Sequence, residues 1–150
     1  MDSLYQQIVL QHNRQPRHYG APEHCDCQAR GYNPVCGDDL QVYVQLDKRQ
    51  IQALFFAGQS CAIATAAASM MTGVMEGIEL DLAGQLIEQW LAAVEQGAPL
   101  QSAALRTMQP LLSVRAFPGR HGCATLAWKA LRQCLQQMTG DDQASLMQSQ

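Results

Sequence analysis

The chain has 150 residues, 47% hydrophobic and 15% charged, with a net charge of −3 and a pI near 5.7. That length suits one domain able to bury a core without disulfide staples, and the acidic balance leaves no broad basic surface for nucleic acid. Met1-Asp2-Ser3-Leu4-Tyr5 lacks a basic segment followed by an apolar run, and the longest apolar stretch, Ala62 to Met71, contains Thr65 and Ser69 and is too short for a membrane span. The expectation is a cytoplasmic protein without a membrane anchor, whose six cysteines stay reduced and so point to metal binding or catalysis.

Ser3 to Asn13 places Leu4, Ile8 and either Tyr5 or His12 on one stripe, with Ser3 able to cap and Pro16 preventing continuation, which predicts a short amphipathic helix. From Pro16 to Asp39 the density of Pro, Gly and Asn predicts an irregular loop. Leu40, Val42, Val44 and Leu46 alternate with polar positions. Asp47-Lys48-Arg49-Gln50 breaks the pattern, and Ile51, Ala53, Phe55 and Ala57 resume it, so an antiparallel hairpin with one buried face is expected. Ser60 can cap a helix from Cys61 to Met75, and a further helix from Asp81 to Gln96 meets its stop at Gly97 and Pro99. Ala103 to Leu112 reads as a weaker helix. A last helix carries Cys123, Leu126, Ala127, Ala130, Leu131, Cys134 and Leu135 on a stripe that Gly140 can end, leaving a frayed tail. No fixed-period repeat or linker divides the chain, so residues 1–150 are expected to form a single domain.

Zinc and iron take thiolate ligands with an occasional carboxylate or imidazole, and four donors close a tetrahedral shell. Cys36, Asp38, Cys61 and Cys123 each lie where a strand or helix starts or ends, positions that converge while cores stay packed. A thiol in the first turn of a helix is expected to ionise more readily, and Cys61 and Cys123 occupy such positions. Their spacing is far wider than that of zinc fingers, so these residues alone leave a metal site and three inert buried thiols both open.

Four segments carry a resemblance. They are His12-Asn13-Arg14-Gln15-Pro16-Arg17, Asn33-Pro34-Val35-Cys36-Gly37-Asp38, Gly58-Gln59-Ser60-Cys61-Ala62-Ile63 with Ser69-Met70-Met71-Thr72, and Arg120-His121-Gly122-Cys123-Ala124-Thr125-Leu126-Ala127-Trp128-Lys129-Ala130-Leu131. In this order they resemble the SufU/IscU/NifU-N family of iron–sulfur cluster assembly proteins, over most of the chain from Leu4 to about Met138. The chain is most similar to the SufU branch. The residue before Cys123 is Gly122 where IscU proteins have histidine, with His121 one position further off as a possible ligand or proton donor. Phe117-Pro118-Gly119-Arg120 stands where the IscU chaperone-binding motif lies. Arg120-His121-Gly122-Cys123 also departs from the SufU pattern Arg-Ile-Lys-Cys by losing the lysine charge.

The resemblance implies an α+β fold, a small antiparallel sheet packed against several helices, and zinc held by Cys36, Asp38, Cys61 and Cys123. It implies that Cys36 accepts persulfide sulfur from a SufS-like, pyridoxal-phosphate-dependent cysteine desulfurase and passes it to a downstream assembly complex, a sulfurtransferase-type relay. Two other uses of the same residues stay open: a scaffold on which a [2Fe–2S] cluster is built, and a zinc-stabilised adaptor that receives no sulfur. Among the remaining residues, Cys25 and Cys27 read as incidental loop thiols before an auxiliary metal or redox pair, Cys134 as a small core residue, and Met70, Met71 and Met75 as helical core. His12, His18 and His24 read as solvated or capping. Arg17 and Arg120 read equally as docking or solvated charges.

Overall fold

The computed structural model describes residues 3–148, with side chains described through residue 138. Helix α1 (Ser3–Arg14) is followed by strands β1 (Cys27–Asn33), β2 (Asp38–Asp47) and β3 (Gln50–Gln59), helices α2 (Ala62–Met75) and α3 (Leu80–Gln96), a succession of 3₁₀ turns (Ala103–Ala116), a 3₁₀ turn (Pro118–Arg120) and helix α4 (His121–Gln148). The sheet is an antiparallel meander in the order β1-β2-β3, so the architecture is α+β. The sheet has three strands where two were expected: residues 27–33, assigned to the irregular loop, form an edge strand.

Alternation builds the buried face. Leu40, Val42 and Val44 of β2 stand opposite Gly58, Phe56 and Leu54 of β3, and on the other side opposite Gly31, Ala29 and Cys27 of β1. β1 gives this face only small residues, which lets α4 approach closely: a Cβ on Gly31 would lie 2.9 Å from the Leu126 side chain. At the outer edge of β3, backbone hydrogen bonds from Gly20 to Phe56 (2.8 Å) and from Phe56 to His18 (3.1 Å) cover the strand.

Helix α2 is apolar nearly all round and accordingly buried, with Ala64, Ala66 to Ala68, Met70, Met71 and Met75 inside. Its cap is Cys61 and not Ser60: the Cys61 sulfur accepts from the Ala64 N–H at 3.5 Å, while the Ser60 hydroxyl pairs with Thr65 at 2.8 Å. Glu79 caps α3, and Gly97 ends it in the left-handed conformation. Trp90 of α3 packs on Trp128 of α4 at 5.6 Å and donates its indole N–H to the Ala124 carbonyl at 3.0 Å. The weak helix runs to Ala116 as 3₁₀ turns around Pro110. Helix α4 passes through Gly140 without the stop predicted there. Cys134 is fully buried, as are Met71 and Met75. His12 is also buried instead of solvated, its Nδ1 2.6 Å from the Ser69 hydroxyl, and His18 pairs with the Thr72 hydroxyl at 2.9 Å. His24 is exposed.

Candidate metal centre

The cysteine site assembles at one end of the sheet. Cys36 lies in the four-residue turn joining β1 to β2, where Gly37 takes a positive φ of 72° that a glycine adopts without strain. Asp38 opens β2, Cys61 caps α2 directly after β3, and Cys123 is in the first turn of α4. The ends of three sheet strands and two helix starts therefore meet at one place.

The Cys36 sulfur, an Asp38 carboxylate oxygen and the Cys123 sulfur all lie within 4.8 Å of one another. Cys61 stands outside that group yet touches it. Its backbone N–H donates to Asp38 Oδ1 at 2.7 Å, and its thiol donates to Asp38 Oδ2 at 3.9 Å. Asp38 and Cys123 are fully buried, whereas Cys36 and Cys61 are half-buried. Arg120 directs Nη1 to the Cys36 sulfur at 3.9 Å, and the Cys36 thiol reaches the Gly119 carbonyl at 4.0 Å. The thiol contacts around it hold the Arg120 guanidinium above its ordinary range, the hydrogen bond with Cys123 first and the charge of Cys36 next. His121 turns its Nε2 to the Arg115 carbonyl at 3.2 Å and is not in the donor group.

Burial, followed by hydrogen bonds with Cys36 and Cys61, pushes the Cys123 thiol far above the ordinary range. In the metal-free chain burial thus opposes the easier ionisation expected of a thiol at a helix start. A cation changes that balance, because it replaces the thiol protons and neutralises thiolates that burial otherwise disfavours. Tetrahedral zinc with sulfur and oxygen ligands spaces its donors by about 3.3–3.8 Å. The donors of Cys36, Asp38 and Cys123, within 4.8 Å of one another, would close in by about 1 Å to reach that spacing, with Cys61 moving in from beside Asp38, and three sulfurs with one carboxylate are a zinc- or iron-type donor set. The residues fit such an ion.

Two neighbours of the site were invisible in the sequence as such. Asn33, at the end of β1, points Nδ2 at the Cys123 sulfur from 4.0 Å and lies over Gly122, where a Cβ would come within 3.1 Å of that nitrogen. Tyr5, whose aromatic ring places it on the inner stripe of α1, buries a hydroxyl with no hydrogen-bond partner among the described residues. Its pKa is raised by burial and then by the Cys61 thiol, with Cys123 adding to the shift and Arg120 opposing it. Only the helical stripe signalled Tyr5, and it signalled core.

Fold and site together define an α+β domain with a sulfur-and-carboxylate centre at the tip of a β-hairpin. The profile of the NifU-like N-terminal domain matches residues 4–102. The chain is 34% identical to the iron–sulfur cluster assembly scaffold protein IscU of Streptococcus pyogenes serotype M1, over 90% of this chain and 84% of that protein. It is 32% identical to the zinc-dependent sulfurtransferase SufU of Bacillus subtilis strain 168, over 87% and 88%. The solved N-terminal domain of a nitrogen-fixing NifU-like protein from Brucella abortus shares the fold at a TM-score of 0.83 and 19% identity, covering 91% of this chain and 94% of that one. The chain belongs to the NifU-like N-terminal domain family.

Proposed function

We propose that this protein serves iron–sulfur cluster assembly as a zinc-dependent sulfur acceptor, taking persulfide sulfur onto Cys36 from a pyridoxal-phosphate cysteine desulfurase. One observation supports this most: of the clustered thiols, Cys36 stands at a hairpin tip beside an open groove lined by Val35, Phe117, Pro118, Gly119 and Arg120, while Cys123 and Asp38 are sealed behind it. Val35 is 88% exposed and Phe117 40%, so an apolar rim surrounds the accessible sulfur and suits a protein partner.

Zinc on Cys36, Asp38, Cys61 and Cys123, when bound, keeps the thiols deprotonated and shielded from oxidation until a partner docks. In the transfer step the Cys36 sulfur attacks the terminal sulfur of the donor persulfide. The donor's S–S bond breaks, its cysteine leaves as a thiolate, and Cys36 retains the new S–S bond with no net change in electrons. Arg120 places positive charge beside the Cys36 sulfur throughout. Asp38, fixed through Oδ1 by the Cys61 N–H, supplies a hard oxygen donor that exchanges more readily than a fourth thiolate. The B. subtilis relative, named as a zinc-dependent sulfurtransferase, is in line with this reading.

A scaffold for a [2Fe–2S] cluster is the second reading. It draws on the gathering of three cysteines around Asp38 and on the streptococcal relative named as a scaffold. Mass spectrometry of the chain after incubation with desulfurase and cysteine separates the two. A sulfur adduct on Cys36, absent from Cys36→Ala, is the expected result, and an unmodified Cys36 under desulfurase turnover rules out the acceptor role.

A further inference from the structure

A second group of thiols lies away from the metal centre. Strand β1 and helix α4 pack along each other, and at one end of this seam Asn33 meets Cys123. At the other end Cys27, the first residue of β1, meets Cys134. Along α4 the two cysteines are separated by about 16 Å, three turns of helix. The Cys27 thiol lies 3.6 Å from the Cys134 carbonyl oxygen and 3.4 Å from Gln137 Oε1, so the two cysteines stand side by side across the seam. Both are held by regular structure. Cys27 is paired in register with Val44, and the preceding Asp26 is pinned through its N–H to the Val44 carbonyl at 2.8 Å and through Oδ2 to the Leu46 N–H at 2.7 Å. Cys134 is a fully buried helical residue, Cys27 is half-buried, and Cys25 is exposed.

These thiols do not form a metal-type cluster: among the described residues, the group of three or more donors is Cys36, Asp38 and Cys123 alone. Two neighbouring cysteines, one half-buried and one buried behind it, make a different arrangement, that of an attacking and a resolving thiol. We propose that Cys27 and Cys134 are a redox-active dithiol that closes to a disulfide under a peroxide oxidant and clasps β1 to α4, the two elements that also frame Cys123. The Cys27 sulfur attacks the O–O bond of hydrogen peroxide, giving a sulfenic acid on Cys27 and one water. The Cys134 sulfur then displaces that hydroxyl, which leaves as a second water with the Cys134 proton. Two thiols lose two electrons and one peroxide gains them. The buried position of Cys134 makes the closed form slow to reopen without a dithiol reductant. The inference uses none of the metal-centre residues and stands whether or not sulfur transfer occurs there.

The test is disulfide mapping of the full chain. The protein is treated with graded hydrogen peroxide, its remaining thiols are alkylated in denaturant, and non-reduced tryptic peptides are analysed by mass spectrometry. Trypsin separates residues 18–30, which hold Cys25 and Cys27, from the peptide beginning at Gln133 that holds Cys134. The expected result is a cross-link between these peptides, placed at Cys27 by fragment ions, retained in Cys25→Ser, lost in Cys27→Ser and reversed by dithiothreitol. The oxidised chain should also melt at a higher temperature than the reduced one. Full alkylation of Cys134 after peroxide treatment overturns the proposal, as does a bond from Cys25 to Cys27 or from Cys25 to Cys134 in its place. Because the cross-link is sought in the unsubstituted chain, the outcome stays decisive even where a variant folds poorly.

Discussion

Tyr5, His12 and Asp38 are buried polar side chains in three different circumstances. The Tyr5 hydroxyl lacks a partner among the described residues, so its removal forfeits no hydrogen bond. Tyr5→Phe should leave the urea unfolding midpoint unchanged or raise stability by up to about 1 kcal/mol, and a clear fall would mean that the hydroxyl has a partner at the cysteine centre. Asp38 accepts the Cys61 N–H at the start of α2. Asp38→Ala leaves that donor unpaired and should cost about 1–3 kcal/mol in chemical denaturation, whereas Asp38→Asn, which retains an acceptor oxygen, should restore most of the loss. His12 has its pKa lowered below the ordinary value of 6.5, by burial first and by Arg17 second. Above 6.5 the ring is neutral folded or unfolded and its contribution is fully present. As pH falls below 6.5 the unfolded chain takes up the proton first, and stability declines until the lower folded pKa is passed. Thermal melts between pH 7.5 and 5 should show this decline, and it should be shallower in His12→Gln; identical slopes would remove His12 as its source.

Strand ends and helix starts position the sulfur atoms, and one glycine is critical to their meeting. Gly58, near the end of β3, has a φ of 125°, and a Cβ there would fall 2.3 Å from the Asp39 carbonyl oxygen and 2.8 Å from the Leu40 Cα. Gly58→Ala therefore forces β2 and β3 apart where Asp38 and Cys61 leave them. It should destabilise the fold by at least about 2 kcal/mol and reduce metal retention more than a comparably destabilising change at the far end of the hairpin. Unchanged melting and metal content would show that the strand ends tolerate the shift. The β2–β3 hairpin and the helices α1 to α3 were legible from alternation and helical stripes, but the register shift at Gln45/Leu46 turns Leu54 and Phe56 into the core in place of the expected Ala53, Phe55 and Ala57. Strand β1 was not legible, because its core-facing positions are Cys27, Ala29 and Gly31: the strand presents a flat surface to α4 with no large apolar residues to alternate. Gly140 failed as a stop because a glycine ends a helix only where the chain also turns left-handed, and α4 does not turn there.

Taken across the chain, what could be read from the sequence was what depends on sequence neighbours. The cysteine and aspartate candidates stood out as reactive residues at element boundaries, and the family resemblance singled them out from the other thiols. What could not be read depended on packing: the cover of Asn33 over Gly122, the Tyr5 hydroxyl near the thiols, the His12–Ser69 pair inside the core, the approach of Cys27 to Cys134, and the burial of Cys123. No helix among the described residues is long and apolar enough to cross a membrane. Because an ion at the centre would link two strand ends to two helix starts, its removal should weaken the whole fold. Treatment with a strong chelator should lower the melting temperature of the zinc-loaded chain, and zinc readdition should restore it. Metal affinity should also drop as pH falls, because the buried Cys123 thiol retains its proton strongly.

The most direct test of the zinc-dependent acceptor is to purify the chain aerobically, measure its metal content, and assay its effect on cysteine desulfurase turnover beside Cys36→Ala. One zinc per chain with stimulation that vanishes in Cys36→Ala is the predicted result. Little zinc, no stimulation, and a [2Fe–2S] chromophore that requires Cys36, Cys61 and Cys123 after anaerobic reconstitution would contradict it and make the protein a scaffold.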